Sequence, residues 1–303
     1  MYDIIGDIHG HADKLILLLE RMGYTNKNGS YAHPERRAIF VGDYIDRGPK
    51  IPETINLVRD MVENNAAIAL MGNHEYNALC FHYPEREKGG HLRKHEIKNI
   101  LQHYETLKQY QNRQAAYEDA LKWFETLPIF YEHEQFRVVH ACWDQQHIET
   151  LQKELNGNTL NEHSLLKLVK KGTPAYNAIE ETLKGKELQM PAGTTFTDKD
   201  GNVRSEFRCK WWENPQSVTY RQISIEDLNL PEQPVENTGA INGTTYDTSL
   251  KPVFFGHYWL KGRPGIFREN ICCVDYSVAK GGVLAAYRYD GERVFGDGKW
   301  VYV

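Results

Sequence analysis

Short apolar runs alternate with helical spacing along the first quarter of the chain. Residues 2–6 read as a β-strand. Leu15, Leu18, Leu19 and Met22 then recur at helical spacing, and Gly23 is placed to stop that helix. Residues 38–41 and 66–71 are further apolar runs. Between them Ile55, Val58 and Val62 mark a second helix, with Pro52 near its start, where proline is tolerated. Strand–helix–strand–helix–strand is the pattern of parallel α/β packing. Residues 97–126 carry Leu101, Tyr104, Leu107, Leu121 and Phe124 on one stripe, which predicts a core-facing helix. Residues 136–139 form a fourth strand. The stretch 144–250 is rich in Asn, Gln, Thr and Glu and reads as an insertion or cap rather than a domain with its own core. From residue 252 onward β patterns return, at 253–255, 271–274, 283–289 and 300–303. Residues 1–303 are therefore expected as one domain interrupted at about 144–250.

The strand-like runs end in polar clusters. The first ends in Asp7-Ile8-His9, the second in Asp43 with Asp46-Arg47, the third in Asn73-His74-Glu75, the fourth in His140, and the run at 253–255 in Gly256-His257. In open α/β sheets, ligands bind beyond the carboxyl ends of the strands. Carboxylates, imidazoles and a neutral oxygen, with no thiolate, suit Mn, Fe or Zn and argue against a structural zinc finger. Gly6, Gly42, Gly72 and Gly256 each precede one of these polar residues, where glycine lets the backbone approach an ion or substrate closely.

Charge and cysteine usage narrow the setting. With 36 Lys plus Arg against 41 Asp plus Glu, the net charge is −5, so stable nucleic-acid binding is not expected. Metal ions or a local arginine can still serve a phosphate-bearing substrate. Five cysteines, an odd number with no CxxC pair, argue against a secreted disulfide framework and fit the cytoplasm. No apolar run of membrane-spanning length occurs, and no membrane partner is expected.

Taken together, Gly6-Asp7-Ile8-His9-Gly10, Gly42-Asp43-Tyr44-Ile45-Asp46-Arg47-Gly48, Gly72-Asn73-His74-Glu75, Val139-His140-Ala141 and Gly256-His257 resemble the five blocks of the calcineurin-like metallophosphoesterases, in the family's order. Asp46-Arg47-Gly48 points to the phosphoprotein-phosphatase branch, which also contains the bacterial symmetrical diadenosine tetraphosphatases. The likeness covers residues 2–75 closely, and 120–141 and 252–284 more loosely. It implies an α/β fold, the four-layer αββα sandwich of two mixed β-sheets flanked by helices. It implies two divalent or trivalent metal ions, Mn2+ first, with Fe or Zn as alternatives. Asp7 and His9 would bind the first metal, Asp43 would bridge, and Asn73, His140 and His257 would complete the second metal and the shared site. His74 would be the general acid, Asp46 its orienting carboxylate, and Arg47 the phosphate grip, a role for which its fork geometry suits it. Arg208 is the candidate for a second phosphate-binding arginine, with Lys261 behind it.

The implied reaction is hydrolysis of a phosphoester or phosphoanhydride by a hydroxide bridging the two metals, on a phosphoprotein or a dinucleoside polyphosphate. The alternative is a non-catalytic, metal-bound interaction scaffold of the same fold. Departures from the family's pattern leave the ligands intact. Met71 stands where the eukaryotic protein phosphatases carry arginine, Tyr258 where threonine is common, and Asp275-Tyr276-Ser277 where Asp-Thr-Gly is usual. Tyr44, Trp143, Tyr258 and Trp259 are candidates for aromatic walls or for ordinary packing. His82, His91, His95, His103, His133, His147 and His163 are expected to be solvated. Glu75 is expected to charge a helix N-terminus or to hold a neighbouring loop.

Overall fold

The computed structural model describes residues 1–27, 29–86, 89–155, 157–197, 201, 203–236 and 245–303. By its internal packing the chain divides into two compact units, Met1–Leu183 with Lys251–Val303, and Lys184–Leu250. The first begins β1 (Tyr2–Ile5), α1 (Ala12–Arg21), β2 (Thr25–Lys27), β3 (Ser30–Ala32), β4 (Arg37–Phe40), α2 (Ile51–Glu63), β5 (Ala67–Ala69) and α3 (Asn73–His82). It continues with α4 (Ile97–Gln109), α5 (Gln114–Glu125), β6 (Phe130–Glu132), β7 (Arg137–Val139), α6 (Gln145–Glu154), α7 (Glu162–Leu168) and α8 (Pro174–Lys184). The second unit holds β8 (Glu187–Gln189), β9 (Phe196–Thr197), β10 (Val203–Arg204), β11 (Glu206–Arg208) and α9 (Tyr220–Ile223). The chain then returns to the first unit as β12 (Val253–Phe255), β13 (Ile271–Cys273), β14 (Asp275–Tyr276), β15 (Val283–Tyr289) and β16 (Trp300–Tyr302).

Two mixed sheets organise the first unit. One is ordered β14-β15-β1-β4-β5, with β16 also beside β15. Its β1, β4 and β5 run parallel in the register Ile5↔Phe40 and Phe40↔Ala69, while β15 returns antiparallel to β1. The other is ordered β13-β12-β7-β6, where β12 is parallel to β13 and β7, and β6 is antiparallel to β7. Side chains alternate across a strand, so one set from each sheet meets in a shared core. Ile4, Ile39, Val41 and Leu70 from the first sheet pack with Phe136, Val138, Phe254 and Cys272 from the second. Both faces of the parallel strands are buried: Ile5 and Phe40, of opposite parity to Ile4 and Ile39, are also inaccessible. On the outer side, α1 packs against β15 and α2 against β5. Leu15, Leu18 and Leu19 are the buried face of α1, and Ile55 and Val58 belong to that of α2. The parallel strands of each sheet end toward one edge, and the site lies there.

The helical stretch 97–126 differs from expectation. It is two helices, interrupted where Asn112 takes a left-handed φ of 65°. The phase of α4 differs as well: Leu101 is 67% exposed and Tyr104 49%, while the buried face carries His103 and Thr106. Hydrophobic periodicity finds only apolar faces, and this face is polar and hydrogen-bonded.

The second unit is small. Its β8 and β11 pair antiparallel with Leu188 opposite Phe207. A core forms from Leu188, Phe207, Cys209, Tyr220, Ile223, Leu230 and Val235, although no core was expected for this polar stretch. Its apolar residues are spread too widely for any one window to show them. Among the described residues no helix is long and apolar enough to cross a membrane.

Candidate metal centre

The carboxyl ends of β1, β4 and β5 deliver Asp7 and His9, Asp43, and Asn73; those of β7 and β12 deliver His140 and His257. All six side chains are buried, the most exposed being Asn73 at 6%. Hydrogen bonds join the two sheets here. The His257 amide donates to Asp7 Oδ2 (3.0 Å), and His140 Nδ1 donates to the carbonyl of Val41 (2.8 Å). Three of the six donors have left-handed backbone: His9 (φ 47°), Asp43 (φ 56°) and His257 (φ 74°). Such conformations cost about 1–3 kcal/mol each in non-glycine residues and persist where the surroundings hold them.

The donor atoms converge. His9 Nδ1 is committed to the carbonyl of Ile45 (2.8 Å), which turns Nε2 inward, 3.5 Å from Asp43 Oδ2 and without a hydrogen-bond partner. His140, held by Val41 in the same way, brings Nε2 to 3.5 Å from Asp43 Oδ1 and 3.1 Å from Asn73 Oδ1. Asn73 Oδ1 also lies 2.8 Å from His257 Nδ1. Asp7 Oδ1 is buried with no partner. Two groups of ligand atoms result, His9 with Asp43 and His74, and Asp43 with His140 and His257. Asp43 belongs to both, as a bridging carboxylate would.

The electrostatics ask for cations. Burial, then the charges of Asp275 and Asp43, pushes Asp7 well above the usual carboxylate range. Burial, then Asp43, raises Glu75 to about 7. Burial drives His9 down to about 3, so its imidazole is neutral and its Nε2 lone pair is available. Asp43 resists burial because His140 and His74 hold it well below the usual range. A bound divalent ion would relieve the crowding of buried carboxylates and engage the lone pairs of His9 Nε2 and Asp7 Oδ1. The residues present therefore fit metal ions.

His74 occupies the first turn of α3. Its amide donates to Asp43 Oδ1 (3.0 Å), its Nδ1 is 2.6 Å from Asp46 Oδ2, and its Nε2 is 3.9 Å from Asp43 Oδ2. Burial opposes the charged imidazolium, yet Asp43 and Asp46 raise the pKa of His74 above its ordinary value. An imidazole backed by a carboxylate and aimed into a metal site can donate a proton there.

The family description "Calcineurin-like phosphoesterase" matches residues 2–189. The chain belongs to this family. Its fold and the order of its blocks are the ones the resemblance implied. It is 31% identical to the symmetrical bis(5'-nucleosyl)-tetraphosphatase of Marinomonas sp. (strain MWYL1) over 309 residues, covering 96% of this chain and 94% of that one. To the asymmetrical bis(5'-nucleosyl)-tetraphosphatase PrpE of Halalkalibacterium halodurans it is 50% identical over 74 residues, 24% of this chain and 30% of that one. The PrpE of Bacillus subtilis (strain 168) is 35% identical over 131 residues, 43% of this chain and 51% of that one. The chain thus matches about a third to a half of the length of these PrpE relatives.

Around the centre, this calcineurin-like phosphoesterase uses glycine for space. A Cβ on Gly72 would lie 2.2 Å from Asp43 Oδ1, and one on Gly256 only 2.1 Å from Asp7 Oδ1. Glu75 has the loop-holding role expected of it: its carboxylate accepts from the amides of Gly72 (3.0 Å), Asp43 (3.0 Å) and Tyr44 (2.8 Å). Arg47 is exposed, 5.9 Å from the ring centroid of Trp259. Trp259 stacks on His9 at 5.0 Å, and its amide is held by Asp275 Oδ2 (2.6 Å). Lys280 Nζ lies 3.4 Å from the same ring centroid. Of the four aromatic candidates, Trp259 lies against a donor ring and Tyr258 against His257. Tyr44 and Trp143 are core packing, against Phe40 and Trp123, and against Phe130, respectively. Arg208 is on β11 in the second unit, where its amide donates to Glu226 (3.2 Å). The expectation that His103 is solvated is corrected: it is 4% exposed and hydrogen-bonded to Asp46. Trp259 was among the aromatic candidates and Asp275 within a departure from the family's pattern, whereas Lys280 had no signal beyond its nearness to a motif block.

Proposed function

We propose that this phosphoesterase hydrolyses a phosphoanhydride of the dinucleoside polyphosphate class in the cytoplasm. The observation that carries the reading is the convergence of buried His9, His140 and His257 on a shared carboxylate, Asp43, with the His74–Asp46 pair opening onto the same carboxylate. Asp7, His9, Asp43, Asn73, His140 and His257 would hold two divalent ions, Mn2+ first. When bound, these supply an activated water and neutralise charge on the phosphoryl oxygens.

The side chains do the rest. His74 Nε2 gives its proton to the leaving oxygen as the P–O bond breaks, and Asp46 on Nδ1 fixes the tautomer and offsets the imidazolium charge. Arg47 grips the phosphate as a bidentate donor. Lys280, set against the same indole as Arg47, adds a second cation near His9, which favours a substrate with more than one phosphate over a phosphoprotein. The full-length tetraphosphatase relative supports the same class. Residues 184–250 are proposed to contribute to substrate choice, with Arg208 as a second phosphate contact.

The test is metal analysis joined to a turnover panel of diadenosine tetraphosphate, phosphopeptides and an aryl phosphate, with Mn2+ present. Diadenosine tetraphosphate should be the best substrate, and its products show the cleavage position: two ADP if symmetrical, ATP and AMP if asymmetrical. No turnover of any member sinks the enzyme reading and leaves the scaffold. His74→Asn should keep its metal and lose about 10²–10⁴-fold in kcat, while Arg208→Ala should raise KM.

A further inference from the structure

Asp46 does not stand alone behind His74. Its second oxygen, Oδ1, lies 2.6 Å from His103 Nδ1 and accepts from the Thr106 hydroxyl at 2.6 Å. The Asp46 amide reaches the same hydroxyl at 3.1 Å. On the far side of the ring, His103 Nε2 lies 2.6 Å from the Tyr117 hydroxyl, which is 2.9 Å from His82 Nε2. Asp46, His103, Thr106 and Tyr117 are all at least 95% buried. His82 is half-buried and brings the row toward the surface. With neutral rings one set of proton positions satisfies every member: His82 Nε2–H to the Tyr117 oxygen, Tyr117 O–H to His103 Nε2, and His103 Nδ1–H to Asp46 Oδ1.

A buried histidine and threonine on the inner face of α4 displace apolar packing, and burying polar groups is costly unless each is hydrogen-bonded. Here each is, and the bonds converge on the carboxylate that orients His74. Burial opposes ionisation of Asp46, yet His103, and then His74, keep its pKa below the ordinary value. None of His103, Thr106, Tyr117 or His82 belongs to the metal-donor set.

We propose that His103, fixed by Tyr117, is a positioning residue that holds the Asp46 carboxylate in the plane that His74 needs as general acid. The proposal rests on the reading of His74 as the acid. Asp46 is pinned through both oxygens, one by the imidazole it orients and one by α4. Without His103 only the Thr106 hydroxyl remains on Oδ1, so the carboxylate is held less firmly about its χ2 and fixes the His74 tautomer less well. Binding of metal and substrate does not pass through this row, so the loss should fall on proton donation alone.

The discriminating experiment compares two monoesters on the metal-loaded protein: an aryl phosphate whose weakly basic leaving group departs without an acid, and an alkyl phosphate whose strongly basic leaving group needs one. His103→Phe should lower kcat on the alkyl phosphate by about 10–100-fold, with kcat on the aryl phosphate, KM and metal content little changed. His103→Asn keeps a donor near the Nδ1 position and should recover part of the loss. Tyr117→Phe should show the same selectivity, smaller in size. Equal losses on both phosphates, or none on either, overturn the assignment. If His103→Phe does not fold, the same ratio in His103→Asn and Tyr117→Phe decides. A second readout needs no turnover. Proton NMR of the metal-free protein should show downfield N–H signals from His74 and His103, both on Asp46. His103→Asn should shift the His74 signal, and an unmoved signal overturns the proposal. If the wild type turns over neither monoester nor diadenosine tetraphosphate, the proposed function fails, and the NMR result still judges the positioning.

Discussion

Gly256→Ala should disable the metal centre through one methyl group. The added Cβ would lie 2.1 Å from Asp7 Oδ1 and 2.7 Å from Val41 Cγ2, whereas real Cβ atoms essentially never approach another heavy atom closer than 3.0 Å. Something must move by at least 0.9 Å, the gap between 2.1 and 3.0 Å. Asp7 cannot simply retreat, because its Oδ2 is held by the His257 amide at 3.0 Å inside a closed core. The strand cannot retreat either, because the Gly256 amide is bonded to the carbonyl of His140 at 2.8 Å. Whichever side gives, a donor is displaced. A misplacement of about 1 Å at a reacting centre can cost about 100-fold in rate, and overpacking costs about 1–3 kcal/mol in stability. We expect weaker Mn2+ binding, kcat/KM down by about 100-fold, and a modest fall in Tm. Elemental analysis, a Mn2+ titration of turnover and thermal unfolding measure the three. Gly265→Ala, whose Cβ would meet nothing closer than 3.9 Å, is the control and should behave as wild type. Full metal content and full turnover in Gly256→Ala would show that the glycine's space is not what positions Asp7.

Other perturbations separate packing from chemistry. Glu75→Gln leaves one amide oxygen for three backbone N–H donors, so at least one loses its acceptor; stability should fall by about 1–3 kcal/mol, and an unchanged denaturation midpoint would contradict the role given to Glu75. Asp3 is fully buried and accepts from Tyr24 (3.0 Å), Arg36 (2.8 Å) and Arg288 (3.2 Å). Asp3→Asn removes one of the two carboxylates paired with Arg36, Asp290 remaining at 2.5 Å, and should cost about 1–3 kcal/mol, read as a lower Tm with kcat retained below the transition; a Tm equal to wild type refutes the reasoning. Burial, then the charges of His103, His95 and His91, lowers His82 to about 4 from 6.5. Its contribution to stability is thus complete above pH 6.5 and lost as pH falls from about 6.5 toward 4. In urea unfolding at pH 7 and pH 5, His82→Gln should lose less stability on acidification than wild type, and parallel losses would dismiss His82 as a cause.

The gathering of the centre's side chains at one edge was legible because each follows an apolar run that ends in glycine or at a block boundary. The strand pattern alone placed Asp7, Asp43, Asn73, His140 and His257 on one edge. The left-handed backbone of His9, Asp43 and His257 was not legible, since tertiary contacts impose it against local preference. Nor was the support behind Asp46. A stripe read from Leu101 and Tyr104 turns α4 the wrong way, because the true inner face is His103 and Thr106. A helix buried through hydrogen bonds carries no hydrophobic signature. The second unit hid for another reason: the seven residues of its core are dispersed over 48 positions, from Leu188 to Val235.

The bond between Asp7 and the His257 amide spans 250 positions of chain. Strand β1 pairs on one side with β15, in the register Tyr2↔Tyr289. The sheet edge beside Asp7 therefore stays unfinished until β15, 287 positions further along (Tyr2 to Tyr289), has joined it. Non-local pairing of this kind slows folding. It also means that a chain cut off before β12 would lack His257 and its bond to Asp7, and would not hold the ions proposed for this site.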